Sequence, residues 1–170
     1  DLDGTLVDSL PAVNRAWSRW GARHGLAAQQ VLDYIHGKPA INSLRHFMAG
    51  QSEAAIQAEF RWLEQLEAED TAGVQAIAGA HALLATLNAL DIPWAIVTSG
   101  SIPVAHARHK AAGLPLPEVF ITAEDIKFGK PNPEPYLLGA ERLGLSAPEC
   151  VVVEDAPAGI IAGLEAGSAV

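Results

Sequence analysis

From Gly79 onward the chain alternates two kinds of segment. Short continuous apolar runs, Trp94-Ala95-Ile96-Val97, Val119-Phe120-Ile121 and Val151-Val152-Val153, are separated by stretches with helical patterning: Ala80 to Leu90, Ile102 to Ala112, Glu134 to Leu143 and Ala158 to Ala166. A run that is apolar at every position is buried on both faces, and the connections here are long enough to carry a crossover helix. The pattern therefore predicts an α/β fold, a parallel sheet covered by helices on both faces. In such sheets ligands bind beyond the carboxyl ends of the strands, so the polar residues that follow each run are the ones to inspect.

The stretch from Leu10 to about Glu69 has a different period. Four helices are expected. The first runs from Pro11 to about His24, with Val13, Ala16, Trp17 and Trp20 at helical spacing. The second covers Ala28 to about Ile35 and the third about Ala40 to Ala49. The fourth is capped by Ser52 and continues to about Glu69, with Ile56, Phe60, Leu63 and Leu66 on one stripe. This divides the chain into a core of residues 1–9 plus 79–170 and a helical insertion of residues 10–78. The Trp and Phe stripes read as the insertion's own packing.

A chain of 170 residues that is 49% hydrophobic and 18% charged can bury a real core and does not read as disordered. Its formal charge of −9 leaves no extended basic surface, which argues against a nucleic-acid partner. No apolar stretch reaches the roughly 20 residues that span a bilayer, and no signal peptide is expected. The one cysteine, Cys150, excludes an intramolecular disulfide framework and points to a reducing cytoplasm. An anionic substrate would have to be drawn in by local cations, for which Lys38, Arg45, Lys127 and Lys130 are candidates. A monomer is expected.

The chemistry concentrates in four places. The chain opens Asp1-Leu2-Asp3-Gly4-Thr5-Leu6-Val7-Asp8-Ser9, with carboxylates at i and i+2 on one side of an extended segment and a glycine that permits a tight turn. Such a pair supplies a nucleophile and a proton donor. Thr5 and Asp8 can fix the loop, and the blander reading makes Asp8 or Ser9 a helix cap with Pro11 in the first turn. The second place is Thr98-Ser99-Gly100-Ser101, hydroxyls at a helix N-terminus suited to an anion. The third is Lys127-Phe128-Gly129-Lys130-Pro131. The last is Glu154-Asp155, an acidic doublet directly after a buried strand, a costly placement unless the charges are paired or bind a metal.

These segments, in this order, resemble the four motifs of the haloacid dehalogenase superfamily phosphatases. The closest resemblance is to the sugar-phosphate phosphatases in which a helical cap follows the first motif. The resemblance covers nearly the whole chain and implies a Rossmann-like core with an inserted four-helix cap. It implies that Asp1 is the nucleophile and forms an aspartyl-phosphate, and that Asp3 is the general acid. Thr98 or Ser99 would hold phosphoryl oxygens and Lys130 would neutralise charge. Mg²⁺ would be bound by Asp1, the backbone carbonyl of Asp3 and Asp155, with Glu154 a further ligand or an outer support. The loop His36-Gly37-Lys38 would reach the substrate from the cap.

The implied activity is hydrolysis of small sugar or sugar-alcohol phosphates. A hexose phosphate mutase of the β-phosphoglucomutase type is the alternative, and a non-catalytic interaction module of the same fold a third reading. The chain begins on Asp1 without the apolar strand that would deliver it to a sheet, and ends as another strand begins. Both ends therefore read as trimmed from a longer protein, and little activity is expected of these residues alone.

Overall fold

The computed structural model describes residues 1–35 and 38–170. In chain order the elements are β1 (Val7–Asp8), α1 (Leu10–Arg23), α2 (Ala28–Ile35), α3 (Ala40–Phe47), α4 (Glu53–Glu69) and β2 (Gln75–Ala76). There follow α5 (Ala80–Ala89), β3 (Ala95–Val97), α6 (Ile102–Ala111), β4 (Val119–Ile121), α7 (Glu134–Arg142) and α8 (Pro157–Glu165).

Strands β3 and β4 pair in parallel, Ala95 with Val119, Ile96 with Phe120 and Val97 with Ile121. Because side chains alternate across a strand, this register sorts the apolar residues onto two faces. Ile96 joins Leu2, Leu6, Leu84 and Ala105 on one face, with Phe120 packed against them. Val97, Val119 and Ile121 join Tyr136, Ala140 and Ala162 on the other. Helices α5 and α6 thus cover the first face, α7 and α8 the second. This is the α/β layering that the alternating runs predict.

The third expected strand differs. Val151–Val153 forms a single parallel bridge, Val151 with Ala169, supported by Val152 N donating to Ala169 O at 2.7 Å. Val151 and Val153 are 72% and 56% exposed. They line an apolar groove together with Leu84, Leu87, Trp94 and Ala95. With one bridge to Ala169 and one hydrogen bond from Asp1 N to Val153 O, the run makes too few ladder contacts to register as a strand, however strong its propensity.

A two-residue ribbon was not evident from the sequence. Val7 pairs with Ala76 and Asp8 with Gln75, antiparallel, where the chain departs into α1 and returns from α4. Between these points, α1–α4 pack around a cluster of their own, with Trp17, Trp20, Val31, Leu44, Ile56 and Leu63 buried at its centre. Ser52 caps α4 by accepting from Ala55 N at 3.2 Å. The buried Trp20 indole donates to Glu59 at 3.1 Å, as a buried indole requires. Arg15 on α1 reaches Asp70 at 2.8 Å and Ala72 O at 2.6 Å, which ties the two ends of the helical segment together. Helix α4 also packs on α6, bringing the helical layer against the α/β layer. Among the described residues, no helix is long and apolar enough to cross a membrane.

Candidate active site

The opening turn is set by its backbone. Leu2 O accepts from Leu6 N at 2.9 Å and from Val7 N at 3.0 Å, while Gly4 N donates to Val7 O at 2.8 Å. Gly4 lies at φ +84°, and a Cβ there would fall 2.2 Å from Asp155 Oδ2. Glycine is therefore needed twice, for the backbone angle and to leave room for the Asp155 carboxylate. Asp1 N donates to Val153 O at 3.1 Å, which seats the first residue beside the Glu154-Asp155 doublet.

Lys130 is the hub. Its ammonium donates to Asp1 Oδ1 at 2.9 Å, Glu154 Oε1 at 2.5 Å and Val97 O at the end of β3 at 3.0 Å, and its side chain is only 6% exposed. Four segments far apart in sequence thus meet at one cation. Glu154, 1% exposed, has both oxygens engaged. Oε1 also accepts from Tyr136 OH at 2.6 Å, and Oε2 accepts from Asp155 N at 3.2 Å and Ala156 N at 3.3 Å. Gly159 on α8 makes space for this carboxylate, since a Cβ there would fall 1.9 Å from Glu154 Oε1.

The electrostatics follow from burial and pairing. Burial alone would raise the Glu154 carboxyl, but Lys130 and Tyr136 together hold it below the usual carboxylate range. Burial draws the Lys130 ammonium below its ordinary value, against the opposing pull of Glu154. Burial and the adjacent Glu154 push the Tyr136 phenol well up.

Carboxylate oxygens of Asp1, Glu154 and Asp155 lie within 4.8 Å of one another. This all-oxygen donor set fits a hard divalent cation. Because both Glu154 oxygens are committed to N–H and O–H donors, the exposed Asp155 is the more accessible carboxylate of the doublet. Thr5 Oγ1 lies between it and Asp1, donating to Asp155 Oδ1 at 3.2 Å with Asp1 Oδ2 at 3.4 Å. The Gly4 cradle keeps the Asp155 carboxylate against the opening turn.

The two hydroxyls after β3 separate clearly. Thr98 is buried, and its Oγ1 accepts from Gly100 N at 3.1 Å, so it shapes the loop. Ser99 is exposed. Ser101 makes no side-chain cap; instead the Glu124 carboxylate takes Ile102 N with both oxygens at 3.0 Å, so that first-turn amide already has an anionic partner.

The other candidate cations are engaged elsewhere. Lys38 turns back on α2, donating to Tyr34 O at 2.5 Å with its ammonium 3.7 Å from the Tyr34 ring centre. Arg45 pairs with Glu53 at 2.6 Å, and Lys127 lies over Phe128. His36 and Gly37 lie outside the described residues.

Asp3 belongs to a second group. Its Oδ1 accepts from Arg108 Nη1 at 3.1 Å, and Arg108 Nη2 donates to Glu67 Oε1 at 3.1 Å. Arg108, Glu67, Tyr136 and Gly159 are the site residues that sequence reasoning missed. Arg108 reads as one of three basic residues in the last turn of a helix, and Glu67 as one acid among several on α4. Gly159, a glycine inside a helix next to an acidic doublet, is the only one with a local signal. An apolar groove beside Val151–Val153 meets the site at Asp1, Thr5, Val97 and Tyr136, but its lining is mostly apolar and does not supply the charged groups that phosphoryl chemistry needs.

An α/β layer that gathers a nucleophile-type aspartate, a buried lysine and an acidic doublet at strand ends defines a phosphoryl-transfer type of site. Residues 1–167 match the family model for haloacid dehalogenase-like hydrolases, and the chain belongs to that family. It is 70% identical over 167 residues to hexitol phosphatase A of Escherichia coli K12, spanning 98% of this chain and 77% of that protein. It is 38% identical over 180 residues to glycerol-1-phosphate phosphohydrolase 2 of Saccharomyces cerevisiae, spanning 98% of this chain and 70% of the relative. Among solved structures, a hydrolase from Pseudomonas syringae superposes with a TM-score of 0.83 at 27% identity, over 99% of this chain and 79% of that one.

Proposed function

We propose that the protein is a Mg²⁺-dependent phosphatase that hydrolyses phosphate monoesters of small sugar alcohols and sugars through an aspartyl-phosphate on Asp1. The observation that carries this reading is the convergence of Asp1, Glu154 and the edge of β3 on the buried Lys130 ammonium, with Asp155 alongside. The 70% identity to a hexitol phosphatase supports the substrate class, with hexitol phosphates first in order.

In this reading an Asp1 carboxylate oxygen attacks phosphorus in line with the ester oxygen, and the P–O bond to the alcohol breaks. Asp3 gives its proton to the departing alkoxide, then takes one from the water that attacks phosphorus and releases Asp1. Lys130 offsets the charge that the nucleophile and phosphoryl oxygens accumulate, and Glu154 and Tyr136 hold the lysine in place. Ser99 receives a phosphoryl oxygen, while Thr98 keeps its loop in shape. Asp1, Asp155 and the Asp3 carbonyl would hold Mg²⁺, which would supply Lewis-acid charge compensation there. Residues 10–78 form a cap over the site. The enzyme acts as a cytoplasmic monomer on a diffusible metabolite.

The test is phosphate release over a panel of hexitol phosphates, hexose phosphates and glycerol phosphate, with and without chelator. Release from the polyol esters, silenced by EDTA and restored by Mg²⁺, is the expected result. Hexose 6-phosphate accumulating from hexose 1-phosphate in place of inorganic phosphate would point to a mutase.

A further inference from the structure

We propose that Arg108 and Glu67 are positioning residues that hold Asp3 in its proton-donating pose and make that pose depend on the helical layer. The inference rests on the proposed general-acid role of Asp3 and extends it to two residues that touch no substrate.

Asp3 sits on the opening turn, Arg108 on α6 and Glu67 near the end of α4. One guanidinium joins all three, with 3.1 Å to each carboxylate. Arg108 takes only Oδ1 of Asp3, so the other oxygen lies outside the bridge. Exposure is graded along the chain of contacts. The Asp3 side chain is 28% exposed and within reach of a ligand, whereas those of Arg108 and Glu67 are 7% and 12% exposed. Substrate can meet the acid but not its support.

Stability does not account for this arrangement. A guanidinium and a carboxylate taken out of water recover their desolvation cost only with complete pairing. Here Arg108 Nε is buried with no partner among the described residues, and burial pushes the Glu67 carboxyl up despite the neighbouring arginine. An incompletely satisfied buried bridge between two layers therefore serves something besides stability. That service is to fix the rotamer of a group that must lie within hydrogen-bond reach of a leaving oxygen.

The test exploits the leaving group. An alkyl phosphate leaves as a strongly basic alkoxide and needs the proton, whereas p-nitrophenyl phosphate leaves as a stable phenolate and does not. kcat/KM, which reports formation of the aspartyl-phosphate, is measured for a hexitol phosphate and for p-nitrophenyl phosphate with Glu67→Gln and Arg108→Lys. Their ratio, taken on one sample, cancels any loss of folded enzyme. The expected result is a ratio shifted about tenfold or more against the hexitol phosphate, a fraction of the roughly 10²–10⁴ that a positioned acid contributes. Parallel losses on both substrates, or no loss on either, would overturn the proposal. Asp3→Asn is the control: if it leaves the ratio unchanged, the general-acid reading itself has failed, independently of Arg108 and Glu67.

Discussion

Asp1 and Asp3 stand two residues apart on the same turn but are held by different parts of the molecule. Asp1 is fixed from within the α/β layer, by Lys130, Thr5 and the backbone of Val153. Asp3 is fixed by an arginine whose other partner belongs to the helical layer. The contacts that hold Asp1 therefore lie outside α1–α4, whereas those that hold Asp3 reach into α4. In the proposed reaction this divides the labour. Attack on phosphorus draws on a preformed electrostatic pocket, and departure of the alcohol is tied to the elements that would enclose it.

The sharpest way to break the α/β half is Lys130→Met. Loss of the ammonium should lower the rate by about 10²–10³ or more, as removal of a preorganised charge donor does. It also leaves Glu154 buried without its cation, so a loss of about 3 kcal/mol or more is expected in denaturant unfolding. A variant with ordinary kcat would move phosphate neutralisation to another cation.

Gly159→Ala probes the same half from behind. A Cβ there overlaps the Glu154 carboxylate, so Glu154 must shift and release its hold on Lys130. Activity should fall about 10–100-fold, the usual cost of disturbing an outer support. Unchanged activity would mean that the position of Glu154 is immaterial.

Ser52→Ala is the small counterpart in the helical half. It removes the α4 cap and should cost about 1 kcal/mol of stability, read as a lower midpoint in urea, with kcat/KM on the hexitol phosphate left where it was.

Much of this was legible in the sequence where the signal is local. The 3.6-residue stripes marked α1 and α4 closely, because each buries one face in the cluster around Trp17 and Trp20. The acidic doublet stood out because charge directly after an apolar run is expensive to keep there without a cation beside it. Where the signal is tertiary, the reading failed. Val151–Val153 has the composition of a strand but forms a single bridge. The β1–β2 ribbon is too short to show a period. Helix α6 buries Arg108 and His109, so it carries no clean apolar stripe, and nothing near Arg108 reveals that its partners lie 105 and 41 residues away. The contact of Lys38 with Tyr34 one turn earlier is likewise something that spacing alone does not show.

The central claim is that Asp1 becomes covalently phosphorylated, and trapping tests it most directly. Enzyme quenched in acid during turnover of a hexitol phosphate is treated with borohydride, which reduces an acyl phosphate to the alcohol, and the peptides are then weighed. Residue 1 recovered as homoserine, and absent from an Asp1→Asn control, is the result this account requires. Full turnover with Asp1 never modified would contradict it.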